Sequence, residues 1–243
     1  VRQNGGDFVT LTTNGSLFTE KHLRLIRDLA FVRITLSVSV DSTHADEHDA
    51  FRGHKGAHKK ALQALHQIAA CGIPGLTASM RSTIQPHQIG EMTELAALAK
   101  AIGCSRISFS AIHPAGRAIQ RPDLQMTPTQ KRHFLENVYA LKATYPEMNV
   151  STNDPLKCLL RGKHDIGGVD ELVFDGCGAA AVTFNINADG VMTPCALLNI
   201  PMMNVFALTI EEMTEQYRES PIVRNMLSMN LKGKCGACQL KYQ

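Results

Sequence analysis

The segment Ile34–Asp41, ITLSVSVD, alternates apolar and polar residues without a break. Successive strand side chains point to opposite faces, so Ile34, Leu36, Val38 and Val40 share one face. Thr35, Ser37, Ser39 and Asp41 share the other. A parallel strand covered on both sides reads as a continuous apolar run, so this one has a dry face and a polar face. The pattern recurs along the chain. Thr77, Ser79, Arg81 and Thr83 form the polar row of GLTASMRST, and Ser108 and Ser110 that of SRISFSAI. Thr10 and Thr12 do the same in FVTLTT, with Asn14 at its end.

Three longer stretches separate these strands: TEKHLRLIRDLA, GAHKKALQALHQIAAC and IGEMTELAALAKAI. Their apolar residues recur at helical spacing, as in Ala61, Leu65 and Ile68, or Met92, Leu95, Ala99 and Ile102. Thr127-Pro128-Thr129-Gln130 predicts a further helix start, with an N-cap, proline at N1 and a capping-box glutamine. From Phe8 to Tyr145 the alternation predicts βα units with parallel strands. An antiparallel sheet with one wet face gives the same alternation, but the intervening helices favour the parallel reading. If all four polar rows face inward, they line a polar cavity rather than a packed barrel core. Arg81 is informative there, because an inward arginine needs an anion or an acidic partner.

At 243 residues the chain is long enough for one large core and a small appendage. Its net charge of +3 gives no reason to invoke nucleic acid or a membrane surface as a partner. No apolar run approaches a membrane span, and the first residues show no signal-peptide pattern. After Pro146 the character changes. STNDPLKCLLRGKHDIGGVDELVFDG is rich in turn residues and reads as a connector. CGAAAVTFNINADGVMTPC then reads as a hairpin, with Val182, Phe184 and Ile186 before an Asn-Ala-Asp-Gly turn and Val191 to Pro194 after it. Thr209 and Glu212 form a second capping box. The division expected is a βα region over residues 1–150 and a connector with a small cysteine-bearing region over 151–243.

Seven cysteines, four of them late, suggest thiolate ligands in a reducing cytoplasm rather than a disulfide framework. Cys177 and Cys195 flank Gly190 of the hairpin, and Cys235 and Cys238 form a C-x2-C. Four thiolates suit zinc or iron–sulfur equally. Cys71, Cys104 and Cys158 are isolated and read as packing residues, and Met202 and Met203 as filler. HADEH, His44 to His48, satisfies the H-x-x-E-H zinc pattern. It follows a strand with no apolar stripe to bury, so it reads as a solvated loop rather than a peptidase helix.

With these motifs in view, the chain resembles the radical S-adenosylmethionine (radical SAM) enzymes that carry a C-terminal SPASM domain. The late C-x9–15-G-x4-C and the C-x2-C match, and TTNG, SVSVDS, FRGHKG and HPAGRA look like family landmarks. The resemblance implies an α/β fold: a partial (β/α) barrel of roughly four βα units, then a SPASM-like α+β region. It implies S-adenosylmethionine against Asn14, Ser37, Ser39 and Asp41, with Arg52 and Arg81 as carboxylate candidates. It assigns Cys177 and Cys195 to one auxiliary 4Fe–4S cluster and Cys235 and Cys238 to another. The implied activity is reductive cleavage of S-adenosylmethionine and removal of a substrate hydrogen, for peptide or protein modification or for tetrapyrrole-cofactor synthesis. The implied partners are a peptide or small-molecule substrate and a reductant such as flavodoxin or ferredoxin.

Two departures accompany the resemblance. The family's C-x3-C-x2-C and its G-G-E-P stretch do not occur, and NGGD at Asn4 to Asp7 is no substitute. The next family cysteine would fall immediately after Gln243. The expectation is therefore a chain cut at both ends and inactive by itself. The alternative is a non-catalytic module in which the four late cysteines converge on one structural zinc ion.

Overall fold

The structure is a computed structural model and describes residues 6–157, 160, 178–228 and 230–238, without the side chain of residue 235. The chain forms two compact units. One comprises Val1–Ile112 and Arg121–Asp154, the other His113–Gln120 and Pro155–Gln243.

The first unit is built on an open five-stranded sheet: β1 (Phe8–Thr13), β2 (Arg33–Ser39), β3 (Leu76–Ile84), β4 (Arg106–Ala111) and β5 (Asn149–Thr152). Strand order follows chain order, and every neighbouring pair is parallel. That order excludes the antiparallel alternative. Right-handed crossovers between sequential parallel strands place their helices on one face, which leaves the other for a barrel interior. The helices are α1 (Glu20–Leu29), α2 (Ala45–Arg52), α3 (Ala57–Ala70), α4 (Met92–Ile102) and α5 (Pro128–Thr144). Of these, α3, α4 and α5 pack on strands β2 to β5.

The dry face supplies the core. Leu36, Val38, Met80, Ile84, Ile107 and Phe109 are buried under Leu65, Leu95, Ala99 and Phe134 of the helices. Gly15, in the turn after β1, has φ +75°, and a Cβ there would lie 3.1 Å from Ala61, Ala64 and Val38. Glycine is therefore required twice over, by conformation and by space. At the start of α5, Thr127 Oγ1 accepts the Gln130 N–H and Gln130 Oε1 accepts the Thr127 N–H, as the capping box predicts. Strand β5 is an addition: sequence analysis counted four strands, and only Asn149–Thr152, beside the turn-rich connector, joins the sheet as a fifth.

In the second unit, β6 (Asn185–Ile186), β7 (Val191–Thr193) and β8 (Met203–Asn204) form an antiparallel sheet. The first two make the expected hairpin. β8, with no alternation long enough to detect, was not foreseen. Gly190 at the turn has φ +83°, and a Cβ would fall 2.5 Å from the Phe206 ring. Three short helices follow: α6 (Ile210–Glu219), α7 (Pro221–Leu227) and α8 (Gly233–Gly236). The Thr209–Glu212 capping box forms as predicted, and the Tyr217 hydroxyl donates to the Ala180 carbonyl at 2.6 Å.

Candidate functional site

Strand register assembles the polar residues into rows that cross the first unit's sheet. Ser39 pairs with Arg81, Arg81 with Ser108 and Ser108 with Ser151. Two residues nearer the strand starts, Thr12, Ser37, Ser79, Arg106 and Asn149 form a second row. Ser37, Ser39 and Ser79 are buried, and the Ser79 hydroxyl has no hydrogen-bond partner among the described residues. Arg81 is half-buried. None of the described residues gives its guanidinium an ion pair or a hydrogen bond, so this cation meets the polar face without the anion it calls for. Asn14 lies exposed beyond β1, where its Oδ1 accepts the Ser16 N–H at 3.0 Å and the Ser16 hydroxyl at 2.8 Å.

Asp41 occupies a different setting. It is fully buried. Its Oδ1 accepts the Thr83 N–H at 2.9 Å, and its Oδ2 lies 2.5 Å from Nε of Arg52 on α2. Both carboxylate oxygens are thus engaged within the protein, which ties the end of β2 to β3 and to α2. The Asp41 N–H donates to Nδ1 of His48 at 3.1 Å, so the neutral ring carries its proton on Nε2. Burial pushes the His48 pKa down, against the opposing pull of the Asp41 charge. His58 packs edge-on at 5.4 Å, and its buried Nε2 has no partner among the described residues.

Just beyond Asp41, Glu91 gathers the next turn. Its Oε1 accepts the Ser42 hydroxyl at 2.7 Å, the Thr43 hydroxyl at 2.8 Å and the Thr43 N–H. Burial pushes the Glu91 pKa up, but these donors together hold it below its usual value. His44, Glu47 and Glu91 bring one ligand-type atom each within 4.8 Å of one another. Glu91 was not among the residues the sequence singled out. The available signal was the run of short polar residues, Ser42 and Thr43, whose donors require a buried acceptor.

The HADEH segment is a correction. Residues Ala45–Arg52 form a helix rather than a loop, and His48 is buried within the fold. The zinc pattern still fails, for a different reason. His44 is exposed and turned toward Glu91, whereas His48 Nδ1 is committed to the Asp41 N–H.

Of the late cysteines, Cys177 and the Cys235 side chain lie outside the described residues, as does Cys158. Cys195 follows β7, half-buried, and its Sγ accepts the Leu198 N–H at 3.2 Å. A backbone N–H on sulfur stabilises a thiolate and orients it as a ligand. Cys238 is exposed just beyond α8. Whether the four sulfurs separate into pairs or converge falls outside the described residues. Cys104 is buried, and burial pushes its thiol up to about 12, which suits the packing role. Cys71 donates its S–H to the Ile68 carbonyl at 3.1 Å.

An open parallel sheet with helices on its dry face, and an arginine among serines on the other, defines a barrel-type α/β protein with a polar interior. The comparisons narrow the class. No family model matches the sequence. The AdoMet-dependent heme synthase of Methanosarcina barkeri is 25% identical over 96% of this chain and 67% of its own length. AlbA, the antilisterial bacteriocin subtilosin biosynthesis protein of Bacillus subtilis, is 23% identical over 96% of this chain and 50% of its own. Among solved structures, Streptococcus suis SuiB bound to precursor peptide SuiA superposes with a TM-score of 0.71 at 15% identity, over 96% of this chain and 53% of SuiB. The structure of anSMEcpe with bound AdoMet gives 0.65 at 15% identity, over 96% and 60%. Fold and relatives together support a likeness to radical SAM enzymes, and the chain spans half to two thirds of the length of these curated relatives.

Proposed function

We propose that this chain supplies the S-adenosylmethionine-lining strands and the auxiliary-cluster region of a radical SAM enzyme that modifies a peptide or protein. The observation that carries the reading is Arg81: a half-buried guanidinium between Ser39 and Ser108, with no partner among the described residues. The methionine carboxylate of S-adenosylmethionine matches that fork, and the buried, unpartnered Ser79 hydroxyl beside it fits a polar ligand. Ser37, Ser39 and Asn14 offer hydroxyl and amide groups toward the ribose. Asp41 and Arg52 brace the loop that follows β2. When bound with a reduced iron–sulfur cluster, S-adenosylmethionine supplies the one-electron chemistry that removes a substrate hydrogen.

Cys177, Cys195, Cys235 and Cys238 would hold auxiliary 4Fe–4S clusters, a role supported by the N–H bond to the Cys195 sulfur. Because C-x3-C-x2-C is absent from the sequence, cleavage of S-adenosylmethionine is assigned to the whole protein and not to this chain alone. A peptide substrate draws support from AlbA and from SuiB, whose structure holds a precursor peptide. The heme synthases keep tetrapyrrole-cofactor synthesis as the second reading.

Calorimetric titration with S-adenosylmethionine tests the binding role. The expected result is saturable binding that Arg81→Ala weakens at least tenfold; binding indifferent to Arg81 sinks the assignment. Metal analysis after anaerobic reconstitution with iron and sulfide tests the cysteines. Brown, sulfide-containing protein supports clusters, whereas a colourless protein with one zinc per chain supports the structural-zinc alternative.

A further inference from the structure

The polar face of the sheet holds a second feature, at the end opposite the loops that carry Asp41 and Asn14. Where the strands begin, Thr10, Arg33, Thr35, Thr77, Arg106 and Asn149 line a cleft of about 390 Å³. Among the described residues no aspartate or glutamate lines it. Arg33 lies with its guanidinium carbon 4.3 Å from the centre of the Phe8 ring, a stacking contact that leaves the N–H edges of the fork open. Arg106 is half-buried beside Ser79 and Asn149 in the second polar row. Neither arginine has a carboxylate partner among the described residues.

Two guanidiniums without counter-charge, three threonine hydroxyls and an amide make a site of positive potential rich in donors. In a βα unit the helix N-termini follow the C-terminal ends of the strands, so no helix N-terminus serves this end of the sheet. Side chains alone carry the charge here. Planar guanidinium forks match the planar, two-oxygen geometry of a carboxylate, and no lysine among the described residues lines the cleft to favour a point-like anion.

We propose that this strand-start cleft is a binding site for a small carboxylate, held by Arg33 and Arg106 and distinct from the site proposed around Arg81. The inference stands independently of the S-adenosylmethionine reading.

The test is calorimetric titration of the 243-residue chain with succinate, and separately with inorganic phosphate, in low-salt buffer. Succinate is expected to saturate a single site and to bind more tightly than phosphate. Arg106→Gln should weaken succinate at least tenfold, and exposed Arg33→Gln a few-fold without endangering the fold. Arg81→Ala and the surface control Arg132→Gln should leave succinate binding unchanged. Absence of saturable binding overturns the site. Unchanged affinity in the Arg33→Gln and Arg106→Gln proteins, or loss in Arg81→Ala, overturns its location. Phosphate binding as tightly as succinate overturns the carboxylate assignment.

Discussion

The two units of this chain hold themselves together by different means. In the first, the dry faces of β2, β3 and β4 lie under three helices, and Val38, Leu65, Met80, Leu95, Ile107, Phe109 and Phe134 are wholly buried. In the second, the buried apolar residues among those described are Ala179, Ala180, Met192, Met203 and Val223, while Val182, Phe206 and Ile210 are largely exposed. A region with so thin a core needs another source of stability, and small cysteine-bearing regions find it in metal ligation. The difference teaches where each kind of substitution should matter: apolar truncations in the sheet unit, thiol and metal changes in the hairpin unit.

The largest effect expected is metal removal. If the late cysteines ligate, stripping the metal from reconstituted protein removes binding energy on the order of 10 kcal/mol from the second unit. Hydrogen exchange should then show lost protection over 185–204, with β2 to β4 unchanged. Equal protection with and without metal would break the comparison.

Phe109→Ala comes next, at about 4 kcal/mol, since it empties a fully buried site between sheet and helices. Denaturant unfolding measures it. Asp41→Ala should cost about 3 kcal/mol, because the Arg52 guanidinium and the Thr83 N–H lose their shared acceptor.

The capping boxes offer a matched pair, one per unit. Thr127→Ala and Thr209→Ala each remove the same oxygen from the same N3 amide, for about 1 kcal/mol apiece. Local exchange at α5 and α6 reads them separately, and a much larger loss at α6 would mark how little else holds that unit.

A smaller effect is pH-dependent. Burial lowers the His48 pKa in the folded protein below its ordinary 6.5, so the unfolded chain binds that proton more readily. The stability linked to it is complete above 6.5 and is lost as pH falls from there through the folded value. His48→Gln should flatten this part of the stability profile; an unchanged slope would assign it elsewhere. Smallest in energy is the thiol contrast. Cys104, held near 12 by burial, should resist alkylation in the folded protein, while exposed Cys238 should react once the metal is stripped and be protected while it is bound.

Much of the sheet unit was legible because its signals are local. Alternation in Ile34–Asp41, helical spacing in Ala57–Ala70 and the Thr127 cap each lie within a few residues of one another. Strand β5 was hard to see because four residues carry no measurable period. HADEH was misread as a loop because its helix buries a histidine instead of an apolar stripe, and that burial depends on Asp41 and His58. Among the candidate ligands, sequence alone could mark Ser39, Asp41 and Arg81 as polar residues facing one side. It could not separate Asp41, whose oxygens are consumed by Thr83 and Arg52, from Arg81, whose fork has no partner among the described residues.

The sequence by itself determined the period of each element, the two-faced character of the strands and the spacing of the late cysteines, since these depend on neighbours along the chain. Tertiary structure alone decided that the strands pair in chain order, that Ser39, Arg81 and Ser108 meet in one row, and which charges are already paired. Those outcomes rest on register and burial between residues well separated in the chain, and no local pattern encodes them.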